Sequence, residues 1–150
     1  MEGDSLEGLN IRSLTSGDLD AIVEIDRKVL GKVRQDFWKK KIELPTPRYP
    51  FSGLVAELNG EVIGFIVGEL SGWEFGIPET VGWISTIGVD PDYQHKGVAR
   101  RLSQEFIKDV KAIGVSVVYT LVNWNDWDLL KFFHAMGFTR GGEMINLELK

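Results

Sequence analysis

The sequence predicts one mixed α/β domain, and three observations carry that prediction. An Asn59-Gly60 pair sits between two apolar segments, helical periodicity begins directly after Gly97, and Val115 to Val122 forms a near-continuous apolar run. At 150 residues the chain has the length of an ordinary domain and can bury a real core. With 43% hydrophobic and 26% charged residues it reads as a folded protein rather than a disordered one.

Leu9 to Leu14 is a short first strand. Thr15-Ser16-Gly17-Asp18 has the spacing of a capping box, and Leu19, Ile22, Val23, Asp26 and Val29 follow it at helical intervals. A second helix runs from about Gln35 to Glu43 and must stop before Pro45. Leu54 to Leu58 and Glu61 to Leu70 form a hairpin through a type I′ turn. Ser71 to Thr80 is a connection, and Val81 to Val89 resumes as a strand rich in β-branched and aromatic residues.

Asp90 to Lys96 is polar and turn-like. Val98, Leu102, Phe106, Val110 and Ile113 then mark one face of a long helix that Gly114 ends. After the apolar strand, Asp126 caps a short helix closed by Gly137, and Phe138 to Arg140 and Met144 to Leu149 are read as two final strands. The expected order is β-α-α-β-β-β-α-β-α-β-β, one domain over residues 1–150, with neither repeat nor linker.

Composition excludes several function classes. There are no cysteines, so disulfides, thiolate metal sites and a cysteine nucleophile are out. His95 and His134 show no metal-ligand spacing, so no metal site is expected. A net charge of −5 speaks against a nucleic-acid partner, which needs a basic face. The acidic start lacks the apolar run of a signal peptide, and no stretch is long enough to span a bilayer; a cytoplasmic protein with no membrane partner is expected.

The segment from Ile87 to Leu102 carries the chemistry. A strand feeds a polar loop, and the loop feeds a helix whose first turn has small side chains. A helix N-terminus offers unpaired N–H groups and partial positive charge, so a phosphate can rest against it where Gly97 and Ala99 leave the backbone open. Lys96, Arg100 and Arg101 add positive charge. Neither GxxxxGK[ST] nor GxGxxG is present, which excludes two common nucleotide loops.

What is present is Gln94-x-x-Gly97-x-Ala99, after a strand ending in Val89-Asp90-Pro91, with Phe133-x-x-x-Gly137-Phe138 downstream. Together with the element order, these motifs resemble the GNAT superfamily of N-acetyltransferases over roughly Leu9 to Leu149. The resemblance implies a mostly antiparallel central sheet with helices on both faces. It also implies acetyl-CoA as cosubstrate and an amine acceptor attacked directly in a ternary complex.

In such proteins the loop amides hold the coenzyme's pyrophosphate, which here means Gln94, His95, Lys96, Gly97, Val98 and Ala99, with Arg100 behind them. Ile87, Gly88 and Val89 would lie along the pantetheine arm. Gly88 suits the bulge that this strand carries in relatives, though close packing explains a glycine there equally well. Asn123 and Asn125, with Asp126 competing for the role, and Phe133 fall where relatives touch the coenzyme.

Two departures leave the catalytic acid and base unassigned. Phe133 stands where many relatives have a tyrosine, and Ser85 and Thr86 stand where a strand carboxylate is usual. Glu69, Glu74 and Glu79 are nearby in sequence but fit a solvated surface as well. These departures keep a second reading open, a non-catalytic acyl-CoA sensor on the same fold. The resemblance places the acceptor between Val29–Phe51 and Ser71–Thr80, the second with Trp73, Glu74, Phe75 and Glu79. Those walls carry opposite charge, which suits a peptide or amino-acid-like amine better than a polyamine. A homodimer is compatible with the chain.

Overall fold

In a computed structural model of the chain, residues 6–43, 51–72, 80–141 and 145–150 are described. Residues up to Thr120 form one compact unit and residues 121–150 a second. The first contains β1 (Asn10–Ser13), α1 (Leu19–Leu30), α2 (Gln35–Glu43), β2 (Phe51–Leu58), β3 (Glu61–Gly72), β4 (Thr80–Val89), α3 (Val98–Ala112) and β5 (Val118–Thr120). The second contains α4 (Trp127–Ala135).

The five strands lie in sequence order in one sheet, antiparallel except for the parallel β4–β5 pair. The β2–β3 turn is as expected: Asn59 and Gly60 have φ of 52° and 82°, the double left-handed conformation of a type I′ turn. At the start of α1, Asp18 accepts from the Thr15 amide at 2.8 Å and from Arg12 at 2.8 and 2.9 Å. The expected cap is therefore also an ion-pair anchor to β1.

Side chains on β3 alternate between two layers, as the strand period requires. Phe65 and Val67 pack with Ile22 and Ile25 of α1 and Trp38 of α2. On the opposite face, glycines let α3 come down onto the sheet. A Cβ at Gly64 would lie 3.1 Å from Val98 and 3.2 Å from Leu102, and one at Gly68 would collide with Phe106 and the Trp83 carbonyl at 2.3 Å. Helices thus cover both faces of a mostly antiparallel sheet, and α3 is pinned with its first turn beside the end of β4.

Two expectations are corrected. The apolar run expected as a strand over Val115 to Val122 forms one only at Val118–Thr120. Its partner β4 carries an extra residue, Ser85, just past the Ile84↔Thr120 pair, so the parallel ladder has nothing to continue along. The final two strands are not formed either: 138–141 and 145–150 carry no strand, and Met144 lies outside the described residues. Ile145, Leu147 and Leu149 alternate as a strand should, yet they are 76, 83 and 98% exposed. Alternation creates a strand only where a ladder partner and a core face exist.

Within the second unit, Asp126 caps α4 by accepting from the Leu129 amide at 3.2 Å, and Gly137 closes it with φ 96°. Phe133 is buried and meets Phe132 and Phe138 edge-on, each at 5.1 Å between ring centres. It is the centre of this small unit's packing.

Candidate functional site

The site begins where the β4–β5 pairing ends. Gly82, Trp83 and Ile84 pair with Val118, Tyr119 and Thr120, and the Thr120 hydroxyl donates to the Ile84 carbonyl at 3.0 Å. Ser85 is then bulged, because β3 passes from Gly68↔Ile84 directly to Val67↔Thr86. From Thr86 to Val89, β4 keeps β3 as its neighbour but has no β5 partner among the described residues. Backbone groups along that edge are available to an extended ligand.

The bulge is at Ser85 and not at Gly88. Gly88 is a packing glycine: a Cβ there would sit 2.8 Å from the Phe65 ring and 3.6 Å from Ile25. Its neighbours Ile87 and Val89 continue the strand, half-buried and buried respectively.

At the end of β4 the chain turns through Pro91–Tyr93. Asp90 organises this turn: its side chain accepts from the Asp92 amide at 3.0 Å, and its carbonyl from the Tyr93 amide at 2.8 Å. Its own amide donates to the Ile63 carbonyl at 2.8 Å, and Lys28 of α1 reaches its second carboxylate oxygen at 2.9 Å. Burial alone would push the Asp90 carboxyl up, but the Asp92 amide and Lys28 hold it below the usual range. Gln94 folds back and donates to the Val89 carbonyl at 3.1 Å, tightening the loop.

The loop then changes hand twice. His95 has φ 63° and Gly97 φ 84°, with Lys96 outside the left-handed region between them. Alternation of this kind turns successive N–H groups towards one side and makes an anion-binding concavity. Gly97 is the N-cap of the 15-residue α3, no side chain caps it, and no atom lies within 4 Å of where its Cβ would stand. The helix begins with its positive end open, next to Val98, Ala99 and Arg100. A phosphate fits against the open face of Gly97, where nothing among the described residues lies within 4 Å of a Cβ. Lys96 is exposed, whereas Arg101 is committed to the Leu9 carbonyl at 3.1 Å.

Of the residues singled out in the sequence, Ile87, Gly88, Val89 and Gln94 to Arg100 come together in this strand–turn–helix. Asn125 and Phe133 belong to the second unit, where Asn125 is exposed on a wide-mouthed hollow shared with Asn123, Asp126, Trp127 and Asp128. Trp73, Glu74, Phe75 and Glu79 lie outside the described residues. Glu69 is paired with Lys41 of α2 at 3.0 Å. Among the described residues there is no cluster of three or more His, Cys, Asp or Glu side chains able to hold a metal.

Sequence reasoning missed Asp90 and Lys28. The Asp90-Pro91-Asp92 triplet is a readable turn signal, since an aspartate before proline often caps the amide two residues on. Nothing local points to Lys28, which lies 62 positions away.

Comparison with known proteins agrees with this geometry. An uncharacterized N-acetyltransferase of Methanocaldococcus jannaschii is 28% identical over 138 residues, 85% of this chain and 59% of that protein. The chain therefore spans under two thirds of that relative's length. The N-alpha-acetyltransferase RimI of Mycobacterium tuberculosis is 28% identical over 143 residues, 91% of this chain and 82% of that protein. Among solved structures, an aminoglycoside N-acetyltransferase, AAC(6')-Iy, in complex with CoA superposes with a TM-score of 0.79 at 17% identity, covering 95% of each chain. At that identity the likeness is one of fold. Residues 19–138 match the model of the acetyltransferase (GNAT) family, and the chain belongs to that family.

Proposed function

We propose that the chain is an acetyl-CoA-dependent N-acetyltransferase, a single domain over residues 1–150, that passes the acetyl group directly to a primary amine in a ternary complex. One observation carries this reading: the free, bulged end of β4 runs into a twice left-handed loop at the uncapped start of α3. The free β4 edge suits the pantetheine amides, and the loop amides suit the pyrophosphate.

In the transfer, the amine nitrogen attacks the thioester carbonyl, the carbonyl oxygen becomes an oxyanion, and the C–S bond then breaks. An alkylamine has a pKa of about 10, so its proton must leave before attack. Backbone N–H groups on the β4 edge would stabilise the oxyanion. The leaving thiolate takes a proton from water or from a group other than Phe133, whose ring has none to give.

The acceptor is a peptide or amino-acid-like amine, acetylated in the cytoplasm without a nucleic-acid or membrane partner. The relative named an N-alpha-acetyltransferase supports that choice, and so does the cationic surface at α1–α2, where Lys32, Lys39 and Lys40 are exposed. No helix among the described residues is long and apolar enough to cross a membrane.

The test offers labelled acetyl-CoA with peptides and polyamines in one mixture and reads products by mass spectrometry. Acetylated peptide is expected; preferential acetylation of a polyamine overturns the acceptor assignment. CoA binding without CoA release in any mixture favours the acyl-CoA sensor. No rise in melting temperature at millimolar acetyl-CoA overturns the coenzyme reading, since a ligand at about a hundredfold over its Kd adds roughly 2.7 kcal/mol.

A further inference from the structure

We infer that Lys28 of α1 is a positioning residue for coenzyme binding, acting through Asp90 at the entry to the phosphate-binding loop. The inference rests on the coenzyme reading above and adds a residue on a different element, outside the loop itself. Its basis is how the loop is held. Asp90 is a node with four hydrogen bonds, to the Ile63 carbonyl and from the Asp92 amide, the Tyr93 amide and Lys28. Three of these are made by main-chain groups of β3 and of the turn itself. The fourth, at 2.9 Å, ties the turn to the other layer of the fold.

The reach follows from two periodicities. Ile25 packs beside Gly88, at 3.6 Å from where that residue's Cβ would be. Lys28 is three residues on along the helix, and Asp90 is two on from Gly88, one past the end of β4 but still bonded to β3 through its amide, so each faces the same way as its predecessor. The packed Ile25–Gly88 contact therefore delivers Lys28 onto Asp90. The Asp90 side chain is only 10% exposed and that of Lys28 35%. A carboxylate buried to that degree and stripped of its cation regains water only by moving. The turn moves with it, and the amides from Gln94 to Ala99 begin four residues further along. Gln94 and the Val98 contact with Gly64 hold the rest of the loop, so the loop stays folded but is mis-aimed.

A pyrophosphate-selective defect separates positioning from general destabilisation. For the full chain, calorimetric Kd values for CoA and for pantetheine, which lacks the pyrophosphate, are measured in wild type, Lys28→Met and Lys28→Arg. Because Lys28 is partly solvated, CoA binding by Lys28→Met should weaken by about fivefold. Pantetheine binding should be unchanged, and Lys28→Arg should restore most of the CoA affinity. Adding Asp90→Asn to Lys28→Met should cost little more, since the pair acts as one unit. Equal weakening towards both ligands, or none towards CoA, overturns the inference. Should Lys28→Met fail to fold, Lys28→Gln carries the same comparison. A wild-type chain that binds no CoA overturns the coenzyme reading, and the inference falls with it.

Discussion

The loop between β4 and α3 and the corner between α1 and α2 are built on opposite principles. The loop is a backbone device: two left-handed residues, an uncapped helix and an open space at Gly97. The corner is a side-chain device. Arg34 holds Asp26 through two hydrogen bonds of 2.9 Å and lies 4.5 Å above the Phe37 ring, while Trp38 beside it is fully buried. Burial pushes the Asp26 carboxyl up, but Arg34 overrides this and brings it below the usual range; the Trp38 indole N–H, without a well-aligned partner, also favours the ionised form. A backbone site tolerates changes of surface charge and fails when dihedral freedom is lost. A side-chain corner does the reverse.

That contrast breaks most visibly at Trp38. Trp38→Ala removes a ring packed at 5.2 Å against Phe65 and should cost about 3–5 kcal/mol in urea unfolding. If the loss is under about 1 kcal/mol, the corner is not a rigid part of the core.

Gly97→Val attacks the loop instead. A β-branched residue at φ 84° is strained and its side chain fills the open space, so CoA affinity should fall about a hundredfold by calorimetry. Unaltered affinity would remove the backbone account of the site.

Arg12→Met tests the corner's principle at the start of α1. Asp18 is held below its ordinary 3.8 mainly by hydrogen bonds from Arg12, against burial and with help from Thr15. A lowered folded-state value means that the pair's stability is complete above the unfolded pKa, near 4, and is lost as pH falls through the folded value. Melting temperature should be level from neutral pH to about 4.5 and decline below, and Arg12→Met should flatten that decline while costing about 1 kcal/mol at neutrality. An unchanged acid limb would assign acid unfolding to other carboxylates.

Lys96→Ala should have the smallest effect, raising the Kd for CoA about two- to threefold at low salt and less at high salt, because an exposed lysine is a screened point charge. A tenfold loss would mean that side-chain charge contributes at the loop as much as backbone geometry does.

The readable parts of the molecule share one property, that their cause is local. The Asn59-Gly60 turn, the Thr15–Asp18 cap, the helix start after Gly97 and the Gly114 stop each follow from dihedral preference or periodicity within a few residues. The family match over residues 19–138 agrees with the motifs that pointed to it. What the sequence left open or misread shares the complementary property. A bulge is the outcome of register between two strands, and Ser85 has no more local tendency to bulge than Gly88. The alternation of Ile145, Leu147 and Leu149 is strand-like in isolation and finds no ladder.

By itself, then, the sequence determined the element order through β5 and α4 and the α/β class, because short-range sterics and periodicity decide these. Tertiary structure alone decided where β4 parts from β5, that Gly88 serves packing, and that Lys28 meets Asp90. Each of those depends on which surfaces are pressed together across roughly 20 to 60 residues of chain, and contacts at that range leave no periodic trace in the residues that make them.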